Sequence, residues 1–444
     1  MMVLMLLMLS AGVGQGTPET DLDGLVRREV PDLLDFYRHL HARPELSFQE
    51  KQTASEVAAR LRSCGFEVTE GVGRYPDGGS AFGVVGVLRN GEGPTVLLRT
   101  DLDALPVAEK TGLPYASRVR STIDGDRETP VMHACGHDMH MSSFLGTARL
   151  LASQRDRWQG TLVAVGQPAE ERGAGAGAML ADGLYSRFPR PDYALALHVS
   201  PELPAGQVGF RPGFALASVD SVNIRVRGVG GHGASPHKTH DPVVLASQIV
   251  LALQTIVSRT VSPLDPAVVT VGSIHGGAKH NVIPDSVDLQ LTVRTYKPEV
   301  RNQVLDSIRR ISRYTAEAAG LPENLLPVVE VLEQEHTPST YNDPALTERL
   351  VQAWRRQLGA SRVVEVDPVM AGEDFSRYRL EDDSIPTCIF WLGSVPQDRF
   401  DAARQSGDSL PPLHSPLFAP DPQPTLTTGI EATAAAVLEL LRRP

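Results

Sequence analysis

Disulfide material is scarce in this 444-residue sequence. It holds three cysteines, Cys64, Cys135 and Cys388. Three are too few to staple a chain of this length, and the odd number leaves at least one thiol free. Basic runs are missing as well. Lys and Arg total 42 against 53 Asp and Glu, a net charge of −11. That balance argues against a nucleic-acid partner, which needs clustered positive charge. Past the first residues, no run reads as long and apolar enough for a stable membrane span. Nor is there a long internal repeat or a low-complexity tract. The Gly173-Ala174-Gly175-Ala176-Gly177-Ala178 run lacks the lysine of a phosphate-binding loop.

What is present is an ordinary globular composition, 41% apolar and 21% charged. A large core is attainable, and the length implies two or three domains. Residues 1–16 contain the apolar run Val3-Leu4-Met5-Leu6-Leu7-Met8-Leu9, then Ser10-Ala11-Gly12. This resembles the apolar region and cleavage zone of a signal peptide, which implies export to the periplasm or beyond. No Lys or Arg precedes the run. A disordered tail or misassigned start on a cytoplasmic protein is therefore the competing reading.

The chemistry gathers at Ala134-Cys135-Gly136-His137-Asp138, with Glu170-Glu171 about one βα unit later. A thiolate, an imidazole and carboxylates are a transition-metal ligand mix, with one acid left over for proton transfer. Strands are expected over 81–89, 95–100, 161–167 and 193–197, and helices over 32–41, 49–64 and 139–151. Asp101 and Asp103 then follow one strand, Glu170-Glu171 another, and His198 a third. Chemistry at the carboxyl ends of strands is the rule for α/β sheets. Adjacent side chains in an extended segment point opposite ways, so one glutamate can bind metal while the other faces a bound water. Two solvated loop acids are the plainer alternative. Asp103 is either a carboxylate that orients a metal-bound imidazole or a turn acid satisfying its own backbone. His39, His41 and His140 read as structural, and His414 alone as a surface histidine. Asp138 is a helix-cap candidate.

From about residue 214 the pattern changes to β-α-β-β-α-β, the split βαβ sandwich. It carries Gly231-His232-Gly233-Ala234, His280-Asn281-Val282-Ile283-Pro284 and Arg294. After about 337 the α/β pattern resumes, through Met370-Ala371-Gly372-Glu373-Asp374-Phe375 and Leu413-His414. The expected organisation is a leader over 1–16, a catalytic domain over 30–213 and 337–444, and an inserted domain over 214–336.

Taken together, several stretches resemble the M20 metallopeptidase clan. They are Arg43-Pro44-Glu45-Leu46-Ser47, Asp101-Leu102-Asp103-Ala104-Leu105-Pro106, Cys135-Gly136-His137-Asp138, Pro168-Ala169-Glu170-Glu171, Gly231-His232-Gly233-Ala234, Asn281-Val282-Ile283-Pro284, Gly372-Glu373-Asp374-Phe375 and His414. They are most similar to the amidohydrolase branch, which acts on N-acyl amino acids, hippurate and auxin conjugates. Peptidase branches have a histidine where Asp101 stands and a bridging aspartate where Cys135 serves. The resemblance implies an α/β fold: a mixed sheet flanked by helices, like the di-metal exopeptidases, with an inserted α+β ferredoxin-like lid that pairs two subunits into a homodimer. It implies two divalent ions per subunit, manganese or zinc before cobalt or nickel, held by Cys135, His137, Glu171, His198 and His414. Glu170 is the implied general base. His232 and Asn281 are the implied oxyanion donors, with His232 acting on the neighbouring subunit, and Arg294 suits a substrate carboxylate. The rival readings are a dipeptidase or carboxypeptidase of the same clan, and a non-catalytic exported solute- or metal-binding protein.

Overall fold

The computed structural model describes residues 22–123, 127–380 and 383–443. The signal-peptide reading of residues 1–16 lies outside the described residues. Runs of Val, Leu and Ala build an eight-stranded sheet. Its order is Glu67–Arg74, Ser80–Asn90, Gly160–Gln167, Thr95–Asp101, Tyr193–Pro204, Thr387–Val395, Val208–Phe210 and Val363–Glu365. The four strands from Gly160–Gln167 to Thr387–Val395 run parallel, while Ser80–Asn90 pairs antiparallel. The sheet is therefore mixed, as expected.

Its central strands are buried on both faces, which explains their continuous apolar sequences. Within Thr95–Asp101, Val96 and Leu98 enter one core and Leu97 the other. The first core also takes helices Leu22–His41, Lys51–Ser63, His137–Ser153, Pro344–Leu358 and Pro422–Leu440. Helices His137–Ser153 and Pro422–Leu440 approach closely because glycine stands at their contact. A Cβ on Gly146 would lie 2.6 Å from Ile430 Cδ1.

Between residues 218 and 331 the chain forms a second sheet, all antiparallel, in the order Ala267–Gly276, Ser286–Thr295, Ser218–Arg227, Val328–Val331. Helices Pro242–Thr255 and Pro298–Ala318 pack on it around a core of its own that includes Val222, Ile224, Leu245, Ile249, Leu289 and Ile308.

The structure corrects several sequence expectations. The 193–197 strand continues to Pro204, because residues 197–200 still pair with Phe390, Trp391, Leu392 and Gly393. Glu67–Arg74 was missed: it is an edge strand with only Val72 and Gly73 buried, so it shows little apolar alternation. Among the described residues one helix, Pro242–Thr260, is long and apolar enough to cross a membrane by length and composition only, which leaves the expectation of no stable span standing. Leu245, Ala246, Ile249 and Leu253 bury one face, while Val244 and Leu251 remain exposed on the other. Asp138 is not the cap of helix His137–Ser153; it lies in the first turn, and Gly136 occupies the cap position.

Asp138 instead meets His41. Its Oδ2 lies 2.7 Å from His41 Nδ1, and Glu109 Oε1 lies 3.1 Å from His41 Nε2. This is a buried imidazole held between two carboxylates. Burial pulls His41 toward neutrality, but its hydrogen bonds to Asp138 and Glu109 win and raise its pKa to about 10. His41→Ala strips the counter-charge from both acids and is expected to lower unfolding stability by about 3–5 kcal/mol. The folded pKa lies above the ordinary 6.5. The His41 contribution is thus full below about pH 6.5 and fades as pH climbs toward about 10. Denaturant unfolding of both proteins across that range measures the difference.

Candidate metal centre

Four chain segments deliver the site. Cys135 and His137 flank Gly136, whose φ of +77° turns the loop into helix His137–Ser153. A Cβ on Gly136 would meet Val199 Cγ2 at 2.6 Å, so only glycine allows this turn beside the His198 strand. Glu170 and Glu171 form a short helical turn after strand Gly160–Gln167. His198 sits within its strand rather than at its end. Register explains why it still reaches the mouth: Arg99 pairs with both Ala196 and Val165. His198, two residues past Ala196, is therefore level with Asp101 and Gln167, where the neighbouring strands stop. His414 arrives on a loop whose backbone N–H donates to Ala134 O at 2.9 Å, tying it to the Cys135 loop.

The donor atoms converge. Cys135, His137 and His198 place Sγ and ring nitrogens within 4.8 Å of one another, as do Cys135, Glu171 and His414, and His137, Glu170 and Glu171. Cys135 Sγ is 3.5 Å from His198 Nε2, and His414 Nε2 is 3.5 Å from Glu171 Oε2. Backbone carbonyls set the imidazole tautomers. His137 Nδ1–H donates to Asp103 O at 2.8 Å, and His198 Nδ1–H donates to Val199 O at 2.8 Å. Both Nε2 lone pairs then face the cluster, the arrangement metal-binding histidines use. His137 Nε2 and Glu171 Oε1 are buried without a hydrogen-bond partner. Orphaned acceptors of this kind fit a cation. Donors of mixed sulfur, nitrogen and oxygen chemistry fit it too.

Asp103 resolves against the simple turn-acid alternative. Its carbonyl, not its carboxylate, is the nearer partner of His137, the carboxylate Oδ1 lying 3.4 Å from Nδ1. The carboxylate Oδ2 accepts Ser47 Oγ–H at 2.7 Å and Glu171 N–H at 3.0 Å. His140, read as structural, is buried: Asp101 Oδ1 lies 2.8 Å from its Nδ1, and its Nε2 accepts Val199 N–H. His39 pairs with Glu56 away from the cluster.

Sequence reasoning gave no role to the acids and the arginine behind the site. Arg99 is fully buried and donates to Asp101, Glu373 and Asp374 at 2.8, 2.9 and 3.3 Å. It also donates to Gln167. The available signal was a charged residue inside an apolar strand, a costly placement unless paired. Glu50 was also missed; its Oε1 accepts Ala169 N–H at 2.8 Å.

Negative charge dominates. Burial, then Glu373, Glu171 and Asp374, hold the Glu170 carboxyl well above its usual range. Burial, with the nearby Asp103, likewise raises Glu171 to about 8 despite His137. Burial opposes protonation of His137, but Asp101 and Asp103 outweigh it and lift its pKa to about 10. Burial and then Glu171 keep the Cys135 thiol protonated.

The inserted segment is divided. Arg294 lines the same cavity of about 1270 Å³ as Cys135, Glu170, Glu171, His198 and His414. It is half-buried, its Nε–H donates to Thr292 Oγ1 at 3.1 Å, and no ion pair engages it among the described residues. His232 and Asn281 are brought side by side, His232 pairing with Val282 in a two-stranded ribbon. Both are exposed, and neither is among the residues that line the cavity of this chain.

Residues 97–405 match the model of peptidase family M20/M25/M40. The chain belongs to that family. It is 38% identical over 362 residues to N-acetyl-L-cysteine deacetylase of Bacillus subtilis, covering 82% of this chain and 80% of the relative. It is 37% identical over 371 residues to thermostable carboxypeptidase 1 of Saccharolobus solfataricus, covering 83% and 87%. A crystal structure of the Bacillus subtilis YXEP protein, described as a dinuclear metal binding peptidase from the M20 family, superposes with a TM-score of 0.74 at 30% identity. The match covers 94% of this chain and 99% of that one.

A cation held by His137 and Glu171 would have to displace their protons, since pKa values of about 10 and about 8 leave both protonated near neutrality. Affinity is therefore expected to tighten with pH between 6 and 8, by about tenfold per pH unit for each proton released. Zinc titrations against a chromophoric chelator at several pH values measure this. A flat profile would remove both groups from the ligand set.

Proposed function

We propose that this protein is a metal-dependent amidohydrolase that cleaves N-acyl amino acids, or similar amino-acid conjugates, into a carboxylic acid and a free amino acid. One observation carries the reading. Cys135 belongs to two donor groups at once, one with His137 and His198, the other with Glu171 and His414. A sulfur common to two donor groups would suit a pair of ions. Cys135, His137, Glu171, His198 and His414 would hold them. Zinc suits the sulfur and imidazoles, and manganese the carboxylate, with cobalt and nickel as further options. When bound, such ions supply Lewis acidity to the scissile carbonyl and to the attacking water.

The protein's own residues do the rest. Glu170 takes the proton from the attacking water and returns it to the leaving nitrogen. Burial beside Glu373, Glu171 and Asp374 raises its affinity for a proton, which favours taking one from the water. Asp103, through its backbone carbonyl, keeps His137 in the tautomer that exposes Nε2, and its carboxylate fixes the Glu171 backbone. Arg294 offers a guanidinium fork to the substrate carboxylate. Gln167 and Arg99 hold Asp374, whose Oδ2 accepts Ala176 N–H and so anchors the turn after Glu171.

His232 and Asn281 serve the oxyanion of a second subunit in this reading. Their exposure away from their own cavity supports it, and so do Val244 and Leu251, apolar on the outer face of a helix of the inserted segment. A homodimer through that segment follows. Export depends on the segment over residues 1–16. A carboxypeptidase activity is the alternative kept open by the relative of that name.

Glu170→Gln is expected to keep its metal and lose at least about 10²-fold in kcat, read by metal analysis beside amine release from N-acetyl and N-benzoyl amino acids and from dipeptides. An unchanged kcat would take Glu170 out of the base role. His232→Ala and Glu170→Gln, each inactive alone, are expected to regain up to about a quarter of wild-type activity when mixed and reassembled. Absence of any recovery, with dimers intact by sedimentation, would place His232 in its own subunit's chemistry or outside it.

A further inference from the structure

Phe48 is an aromatic residue that the fold holds at a disadvantage. Its φ is +69°, a left-handed conformation that disfavours a bulky side chain. It is 44% exposed, although neighbouring Leu46 is buried at 3%. Its ring lines the cavity that contains Cys135, His198 and His414. It stands edge-on to Tyr75, with ring centroids 4.9 Å apart at 81°, so its orientation is fixed.

The anchors on either side of it are polar, Ser47 half-buried and Glu50 buried. Ser47 Oγ–H donates to Asp103 Oδ2, which also accepts Glu171 N–H. Glu50 Oε1 accepts Ala169 N–H. These contacts bracket the Glu170–Glu171 turn, so the strained residue between them is held on the wall of the cavity that Glu170 also lines. Core packing does not explain the placement, since the ring is left in the cavity. The left-handed turn does not explain the residue type, since glycine would adopt it without strain. A flat apolar surface facing reactive groups does explain both.

We propose that Phe48 is a substrate-contact residue: its ring is the wall against which a flat apolar substituent of the substrate packs, giving preference to aryl-bearing over small amides. This rests on the amidohydrolase reading above. The substituent can come from the acyl group or from the amino-acid side chain, and the ring recognises the same chemistry in either.

The test compares kcat/KM for N-acetylglycine, N-benzoylglycine and N-acetylphenylalanine in wild type, Phe48→Ala and Phe48→Leu. Phe48→Ala is expected to lose about tenfold or more on one aryl substrate, with N-acetylglycine changed by less than about twofold. Loss on N-benzoylglycine places the ring against the acyl group; loss on N-acetylphenylalanine places it against the side chain. Phe48→Leu, which keeps apolar bulk, is expected to recover part of the preference. Equal loss on all three substrates, or no change on any, overturns the proposal. Should Phe48→Ala fail to fold by circular dichroism, Phe48→Leu against Phe48→Tyr decides by the same ratio, Tyr holding it and Leu lowering it. Calorimetric binding of benzoate, phenylalanine and acetate to wild type and Phe48→Leu provides a readout without turnover. If no amide is hydrolysed yet an aryl ligand still binds more weakly to Phe48→Leu, the amidohydrolase reading fails and the aromatic wall stands. If neither aryl ligand distinguishes the two proteins, the wall falls whatever the enzyme does.

Discussion

Buried negative charge is the constraint that organises the molecule. Asp101, Asp103, Glu170, Glu171, Glu373 and Asp374 crowd one mouth of the large sheet, and the buried guanidinium of Arg99 answers only part of them. Carboxylates taken out of water are costly unless opposite charge or hydrogen bonds compensate. Arg99 compensates Asp101, Glu373 and Asp374. Asp103 Oδ2 accepts from Ser47 and the Glu171 amide, and its Oδ1 lies 3.4 Å from His137 Nδ1. Glu170 and Glu171 are left, and burial among like charges drives both carboxyls upward. Such a site is incomplete without further positive charge at its open side. The neutral nitrogens of His198 and His414 and the sulfur of Cys135 stand there, able to share a cation but not to replace one.

Holding this arrangement also strains the backbone. Among the described residues outside glycine, positive φ occurs at Phe48, Ala169, Leu380, Asp383 and His414. Three of the five, Phe48, Ala169 and His414, touch or adjoin the site. Each such residue costs about 1–3 kcal/mol and survives only where its surroundings fix it. The fixings are visible: Glu50 holds the Ala169 amide, and Ala134 O receives the His414 amide. The same loops that bring the ligands together thus store the strain, and the large apolar cores on both faces of the sheet sustain it.

The sequence made the ligand set legible because metal chemistry restricts residue types. Cys135, His137, Glu171, His198 and His414 were implied as a set by the family resemblance, His414 alone reading as a surface histidine, and their donor atoms approach one another in overlapping groups. The place of His198 was right for the wrong local reason. Its strand does not end there; two neighbours do, and only pairing register reveals that. Asp103 could not be decided from sequence, because its carbonyl and carboxylate do different jobs. Arg99 and Glu50 were given no role for another reason. Their partners include Glu373, 274 positions from Arg99, and Ala169, 119 positions from Glu50, and no local pattern records such pairs. Edge strands such as Glu67–Arg74 escaped because a half-exposed strand need not alternate.

The division of the cavity between two bodies follows from how each is packed. Every proposed ligand is carried by the large sheet and its loops, whereas Arg294 and Val219 reach the cavity from the second sheet, which has a core of its own. The bodies are joined near the chain crossings by the Val219–Thr337 backbone pair and by Asp220, which Arg301 and His336 both engage. None of these contacts passes through a ligand. The donor geometry is therefore insulated from the position of the second sheet, while the cavity wall that Arg294 helps to form is not. The donor cluster accordingly rests on buried charge and strained loops of the large body, whereas the cavity wall is shared between that body, through Phe48, and the second sheet, through Arg294.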